Sequence, residues 1–406
     1  LVIVDHLGAE SAWPYGIEQL RKLALARGQK LALFSGDSQE DAELLAKGTL
    51  APEQSRALWQ YLRAGGLANA REFLRMGAAW GLGRAEQGVP VRVLPPVAVH
   101  VPLAWAVETP GRIPGLDDLQ ARWQPGAPVV MLVFYRSHLL AANTDAFDAM
   151  AEALLAQELN PLPLALESLK DALCLQTLRA LCSAHDVQLI LNTTAFAALG
   201  EHARTGESAD ALAGDIPVLQ VIASGANRED WLADSQGLRP RDIAMQVVLP
   251  EMDGRIMTRA ISFKGLAHRC ELTQTDVVAY QAEPDRVQWV AELARRWCVL
   301  RSKPAADKRA ALVLANYPGS EARLGSGVGL DTPESVMALL AQLERDGWDV
   351  GAAAERPTNG QALMERLQQG IANAPDKWPL RRAHQGYALQ AYRQRLAQLP
   401  AGMADA

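Results

Sequence analysis

Cysteine is scarce in this 406-residue chain: Cys174, Cys182, Cys270 and Cys298 form no C-x-x-C pair and show no metal-ligand spacing. That removes cysteine-based redox and zinc motifs, and the pattern matches a cytoplasmic protein, which is the expected location. Aromatic residues reach only 6%, and no basic run is interleaved with them. With a net charge of −6 as well, a nucleic-acid partner is not expected. No apolar run is long enough to cross a bilayer, and no signal-peptide pattern is present, so no membrane partner is expected either. The sequence contains no G-x-x-x-x-G-K-[ST] phosphate loop and no nucleophile elbow with a Ser-His-Asp arrangement.

What is present is apolar content: 49% of the residues are hydrophobic, ample for packed cores in two or three domains. The order of patterns predicts an α/β protein built from several Rossmann-like or flavodoxin-like parallel-sheet domains with helices on both faces. Leu1–Asp5 reads as a strand, Tyr15–Arg27 as a helix and Lys30–Phe34 as a second strand, a βαβ rhythm. Residues 52–85 read as helical. A proline-rich stretch then places a boundary near residue 125, closing an N-terminal α/β domain.

Residues 126–265 read as a central Rossmann-like domain. Its predicted strands are Pro128–Tyr135, Leu162–Leu166, Val187–Leu191, Val218–Ile222 and Asp242–Leu249, and its predicted helices are Asp145–Gln157 and Leu169–Ala184. Residues 266–309 read as a helical connector containing Val287–Val299. Residues 310–406 read as the truncated start of a further α/β domain, with a strand at Ala310–Ala315, a helix capped by Thr332 and a strand after Gly347. The chain opens in a strand-like run without Met and reaches Ala406 without a closing element, so a piece of a longer protein is expected.

In a parallel sheet the loops at the carboxyl ends of the strands share one edge, and ligands bind there. Those loops are predicted at 136–144, 192–200, 224–227 and 251–255. The last lies in Leu249-Pro250-Glu251-Met252-Asp253-Gly254-Arg255 and joins two carboxylates to a guanidinium. Such a pair can hold a divalent metal or take protons, while a solvated Asp-Gly turn is the plainer alternative. His138 is able to accept a proton or ligate a metal, or simply to bond backbone carbonyls. Arg136 suits a substrate carboxylate or a neighbouring Asp. Asn192-Thr193-Thr194 offers amide and hydroxyl groups, or a turn with a cap. Gly325-Ser326-Gly327-Val328-Gly329 has the wrong spacing for a dinucleotide fingerprint.

Five segments in order carry a resemblance: Phe134-Tyr135-Arg136-Ser137-His138, Asn192-Thr193-Thr194-Ala195-Phe196, Leu249 to Arg255, Leu314-Ala315-Asn316-Tyr317-Pro318, and Gly327-Val328-Gly329-Leu330-Asp331-Thr332-Pro333. Together they resemble the large-subunit family of aerobic cobaltochelatase (CobN) and, more distantly, the H subunit of magnesium chelatase. The resemblance implies insertion of a divalent metal into a tetrapyrrole, cobalt(II) into hydrogenobyrinic acid a,c-diamide in cobalamin biosynthesis. It also implies that ATP and magnesium are used by separate AAA+ partner subunits of the CobS and CobT type, in keeping with the missing phosphate loop.

On that resemblance Glu251 and His138 are expected to relay the metal and accept protons, with Asp253 as a further ligand or orienter. Arg136, Ser137, Asn192, Thr193 and Arg255 are expected to meet the corrinoid. Without its remainder, the piece is expected to be inactive. A magnesium or other metal chelatase remains open, as does a non-catalytic small-molecule-binding scaffold.

Overall fold

The computed structural model describes all residues except 8, 9, 38, 106–113, 199–211, 213, 317–322, 372–374, 384, 400–402 and 404–406. The chain divides into two units, Leu1–Arg301 and Ser302–Ala406. In the first, β1 (Val2–His6) and β2 (Leu31–Ser35) pair in parallel across the helix Pro14–Arg27, as the βαβ rhythm predicts. That helix ends at Gly28, whose φ of 61° lets the chain reverse into β2. The helical stretch expected over 52–85 is two helices, Pro52–Ala64 and Gly66–Gly81. Gly65 breaks them at φ 65°. A Cβ there would stand 3.0 Å from the Leu140 side chain, so only glycine lets the backbone come this close.

The main sheet has seven strands: β3 (Val97–Val99), β4 (Val129–Tyr135), β5 (Asn160–Leu166), β6 (Val187–Asn192), β7 (Val218–Ser224), β8 (Ile256–Cys270) and β9 (Thr275–Ala282). Their order is β3-β5-β4-β6-β7-β8-β9. The five inner strands run parallel, and β3 and β9 are antiparallel edges. The inner order is the doubly wound, flavodoxin-like one, so the α/β expectation holds. Its strand order reverses between β4 and β6.

Alternation along β4 divides the core between the two faces. Val130, Leu132 and Phe134 pack with Phe147, Met150 and Leu154 of the helix Asp145–Ala156, and with Val290 and Ala294 of the helix Pro284–Ser302. Met131 and Val133 pack on the other face with Cys174, Leu178 and Cys182 of the helix Ala172–Ala184. Cys174 and Cys182 are core residues. Each such buried side chain contributes about 1.5–3 kcal/mol. Phe134→Ala would break both this packing and the stack on Phe147, whose ring centroid is 4.2 Å away.

Three expectations are corrected. Asp242–Leu249 is not a strand: residues 240–251 are helical, with a π turn at Ala244–Val248 between short α-helical pieces. Pro240 starts the helix, and Pro250 has no N–H to donate to the preceding turn, which favours the wider π spacing. A short apolar run cannot by itself distinguish the two states. Second, residues 256–282, partly assigned to a helical connector, form the β8–β9 hairpin, which turns through Gln274 at φ 52°. The following helix Pro284–Ser302 buries Val287, Val290, Ala291, Ala294 and Cys298, so it covers the sheet instead of linking domains.

Third, Ala310–Ala315 and the stretch after Gly347 form no strand among the described residues. With no neighbouring strand to pair with, the 310–315 run stays open to solvent, and Val313 is 92% exposed. In this second unit Asp331, not Thr332, caps the helix Thr332–Arg345 through the Glu334 N–H. Among the described residues no helix is long and apolar enough to cross a membrane.

Candidate functional site

At the point of strand-order reversal, the carboxyl ends of β4 and β6 carry the segments 136–138 and 193–198. The second is held from beneath by a buried polar network. Asn192 Nδ2 donates to Gln220 Oε1 at 2.8 Å and to Thr194 O at 3.2 Å, while its Oδ1 accepts Thr194 Oγ1 at 3.0 Å. Gln220 Nε2 donates to Thr194 O at 3.0 Å. Thr193 donates from both N and Oγ1 to Val133 O, at 2.8 and 3.0 Å.

Arg255 closes the network from the start of β8. Its Nη1 donates to Gln220 Oε1 at 3.0 Å and its Nη2 to Asp253 Oδ2 at 2.7 Å. That carboxylate also accepts the Ala198 N–H at 2.7 Å. The Arg255 and Asp253 side chains are 1% and 2% exposed. Burial pulls the Arg255 pKa down while Asp253 supports the charge. Buried polar groups stay only when partnered, so this pair ties the 193–198 segment to the sheet.

The segment is also fixed from above. Tyr135 Oη donates to Ala195 O at 2.9 Å, and burial raises its phenol pKa. The Phe196 N–H donates to Met245 O at 2.8 Å. Phe196 itself has φ 67°, a left-handed conformation costing on the order of 1–3 kcal/mol for a bulky residue. A cavity of about 380 Å³ opens here, lined by Tyr135, Ser168, Leu169, Lys170 and residues 194–198.

Other expected residues lie elsewhere on the rim. Arg136 directs Nη1 to Leu94 O at 2.8 Å and Nη2 to Glu167 at 3.2 Å, bracing the chain at 94–95. Ser137 is exposed. His138 packs edge-on against Phe147 and Tyr280, with ring centroids 5.0 and 5.1 Å away. Burial, assisted by the positive charge of Lys264, pushes its pKa down to about 4, so it is neutral near pH 7. Glu251 is exposed at the end of the 240–251 helix.

Glu251, Asp253 and His138 are therefore not gathered as a three-ligand set. Among the described residues no three His, Cys, Asp or Glu side chains are placed to hold a metal ion. The reason is local: a helical approach in place of the expected strand turns Glu251 outward, and Arg255 draws Asp253 inward. Asn192, Thr193, Asp253 and Arg255 are brought together, but as a scaffold under a loop.

Residues 59–406 match the family model described as CobN/Magnesium Chelatase. The chain belongs to the CobN/magnesium chelatase family. It is 46% identical over 400 residues to the aerobic cobaltochelatase subunit CobN of Pseudomonas aeruginosa, covering 98% of this chain and 31% of that protein. It is 36% identical to the Sinorhizobium subunit of the same name, over 92% of this chain and 29% of that one. Similarity to the rice magnesium-chelatase subunit ChlH is 27% over 60% of this chain and 17% of that protein.

The solved catalytic subunit of cobaltochelatase from Mycobacterium tuberculosis superposes with a TM-score of 0.70 at 29% identity. The match covers 100% of this chain and 31% of that structure. The chain thus spans about a third of the length of the CobN relatives.

Within this CobN-family fold, sequence reasoning missed Gln220, Tyr135, Phe196 and a second buried cluster. In that cluster Ser224 Oγ donates to Asp242 Oδ2 at 2.6 Å, and Asp242 Oδ1 accepts Gln246 Nε2 at 3.1 Å. Two of these residues left a readable signal. Gln220 interrupts the apolar run Val218–Ile222, and Gln246 interrupts Met245–Val248; a polar residue inside a buried run needs partners.

Proposed function

We propose that this chain is part of the tetrapyrrole-binding subunit of an ATP-dependent cobaltochelatase, a ligase inserting cobalt(II) into hydrogenobyrinic acid a,c-diamide. The observation that carries this reading is the 46% identity to a CobN subunit over 98% of the chain. Metal insertion requires stripping a hydrated cation and removing two ring protons. Glu251, exposed beside the loop scaffold, is the proposed metal relay and proton acceptor, and Ser137 a proposed direct tetrapyrrole contact. His138, uncharged near neutrality, offers a lone pair to a proton or to cobalt. Asn192, Thr193, Asp253 and Arg255 act through the loop they hold, and Arg136 through the 94–95 segment it braces. AAA+ subunits of the CobS and CobT type supply ATP hydrolysis with magnesium.

A magnesium chelatase is the second reading, favoured only by the weaker similarity to ChlH. A chimera separates the two: this chain replaces the matching stretch of the Pseudomonas aeruginosa subunit and is assayed with its ATPase partners. Cobalt insertion into the corrinoid, followed by absorbance, is the expected result. Magnesium insertion into protoporphyrin without cobalt insertion would overturn the first reading. Loss of both, with the chimera folded, would favour a non-catalytic scaffold.

A further inference from the structure

One side chain above the buried network is explained by none of its bonds. Phe196 is 47% exposed, has φ 67°, and stacks on no other ring among the described residues. Left-handed backbone suits glycine or asparagine and disfavours a bulky side chain. Yet its N–H is committed to Met245 O, Ala195 O to Tyr135 Oη, and Ala198 N to Asp253 Oδ2. The molecule thus holds a half-exposed aromatic ring in an unfavourable conformation at the strand-order reversal, where ligands of this architecture bind.

The ring lines the cavity of about 380 Å³ together with Lys170, the one cation among the lining residues. Lys170 is exposed and forms no ion pair among the described residues. At about 380 Å³ the cavity is of a size for one edge of a tetrapyrrole.

We propose that Phe196 contacts the conjugated face of the macrocycle at one edge, with Lys170 meeting a peripheral carboxylate; this rests on the tetrapyrrole reading above. A flat π-system stacks favourably on an aromatic ring. A ring fixed beforehand by its backbone loses little freedom on binding. Holding phenylalanine where asparagine would be less strained is understandable if the ring serves a ligand and not the fold.

The test is a tryptophan-quenching titration of the complete subunit with hydrogenobyrinic acid a,c-diamide, combined with thermal unfolding. Phe196→Asn keeps the left-handed backbone and removes the ring. It should weaken binding about tenfold, about 1.4 kcal/mol, without lowering Tm. Phe196→Trp should bind within about twofold of wild type, in keeping with ring stacking. Lys170→Met should weaken binding several-fold and reduce its salt dependence.

Equal binding by wild type and Phe196→Asn, or Phe196→Trp as weak as Phe196→Asn, would remove the Phe196 contact while leaving the tetrapyrrole reading intact. Unchanged affinity and salt dependence in Lys170→Met would remove the carboxylate contact. A folded wild-type subunit that binds no tetrapyrrole would remove that reading and this proposal together.

Discussion

Glu251 and Asp253 belong to one short acidic segment, yet they occupy opposite environments. Glu251 ends a helix in open solvent, whereas Asp253 is sealed against Arg255 and bonds the Ala198 amide. The same contrast runs along the whole carboxyl edge. On one side the interior holds Asn192, Gln220 and Arg255 buried and hydrogen-bonded to one another's neighbours, with only Arg255 Nε lacking a partner among these three; on the other, Ser137, Glu251 and Phe196 face outward. The lesson is that residue type alone did not assign roles. Carboxylates of similar chemistry become buried struts or stay in solvent according to which neighbour removes them from water.

The sharpest way to break this comparison is Asp253→Ala. If Asp253 is a scaffold residue, its loss leaves a buried guanidinium without its counter-charge and costs about 3–5 kcal/mol. Urea unfolding reads this directly, and a loss below about 1 kcal/mol would place Asp253 with the exposed set.

His138 gives the next largest effect. Its pKa is near 6.5 in an unfolded chain and about 4 when folded. Between those values the unfolded chain takes up a proton that the folded chain refuses, so stability falls as pH drops from about 6.5 toward 4. The loss approaches about 3 kcal/mol at the acid end. In His138→Leu the corresponding part of the pH slope should vanish; an unchanged slope would mean that the ring is open to solvent.

Gln220→Leu removes the hub between Asn192, Thr194 and Arg255, leaving polar groups without partners at a cost of about 1–3 kcal/mol. Hydrogen exchange at the Thr194 and Ala198 amides should speed up, and amides left as protected as before would argue against the hub. The smallest stability effect belongs to Glu251→Ala, within about 0.5 kcal/mol as for other exposed sites. In the complete subunit with its ATPase partners, the same change should nevertheless reduce cobalt insertion. A variant that destabilises strongly, or one that leaves insertion untouched, would erase the distinction between rim and interior.

Much of the central sheet was legible because its inner strands are buried on both faces and read as continuous apolar runs, β4 most clearly. The carboxyl-edge loops followed from the α/β order. The approach to the acidic segment did not, because Ala244 to Val248 is apolar enough for either state and only the widened turn before Pro250 decides it. The hairpin at 256–282 was missed for a related reason: its β9 strand alternates weakly and lies at an edge, half in solvent. Phe196 gave no signal at all, since its left-handed backbone is set by Met245, Tyr135 and Asp253, which are distant in sequence.

The sequence by itself determined the α/β class, the four inner strands β4 to β7 and the segments that mark the family, because hydrophobic periodicity and local motifs are properties of neighbouring residues. Only the tertiary structure decided which polar residues are buried as struts and which face solvent. Burial and partnership are long-range facts: Arg255 becomes a strut because folding brings Gln220 and Asp253 to it in a place from which water is excluded.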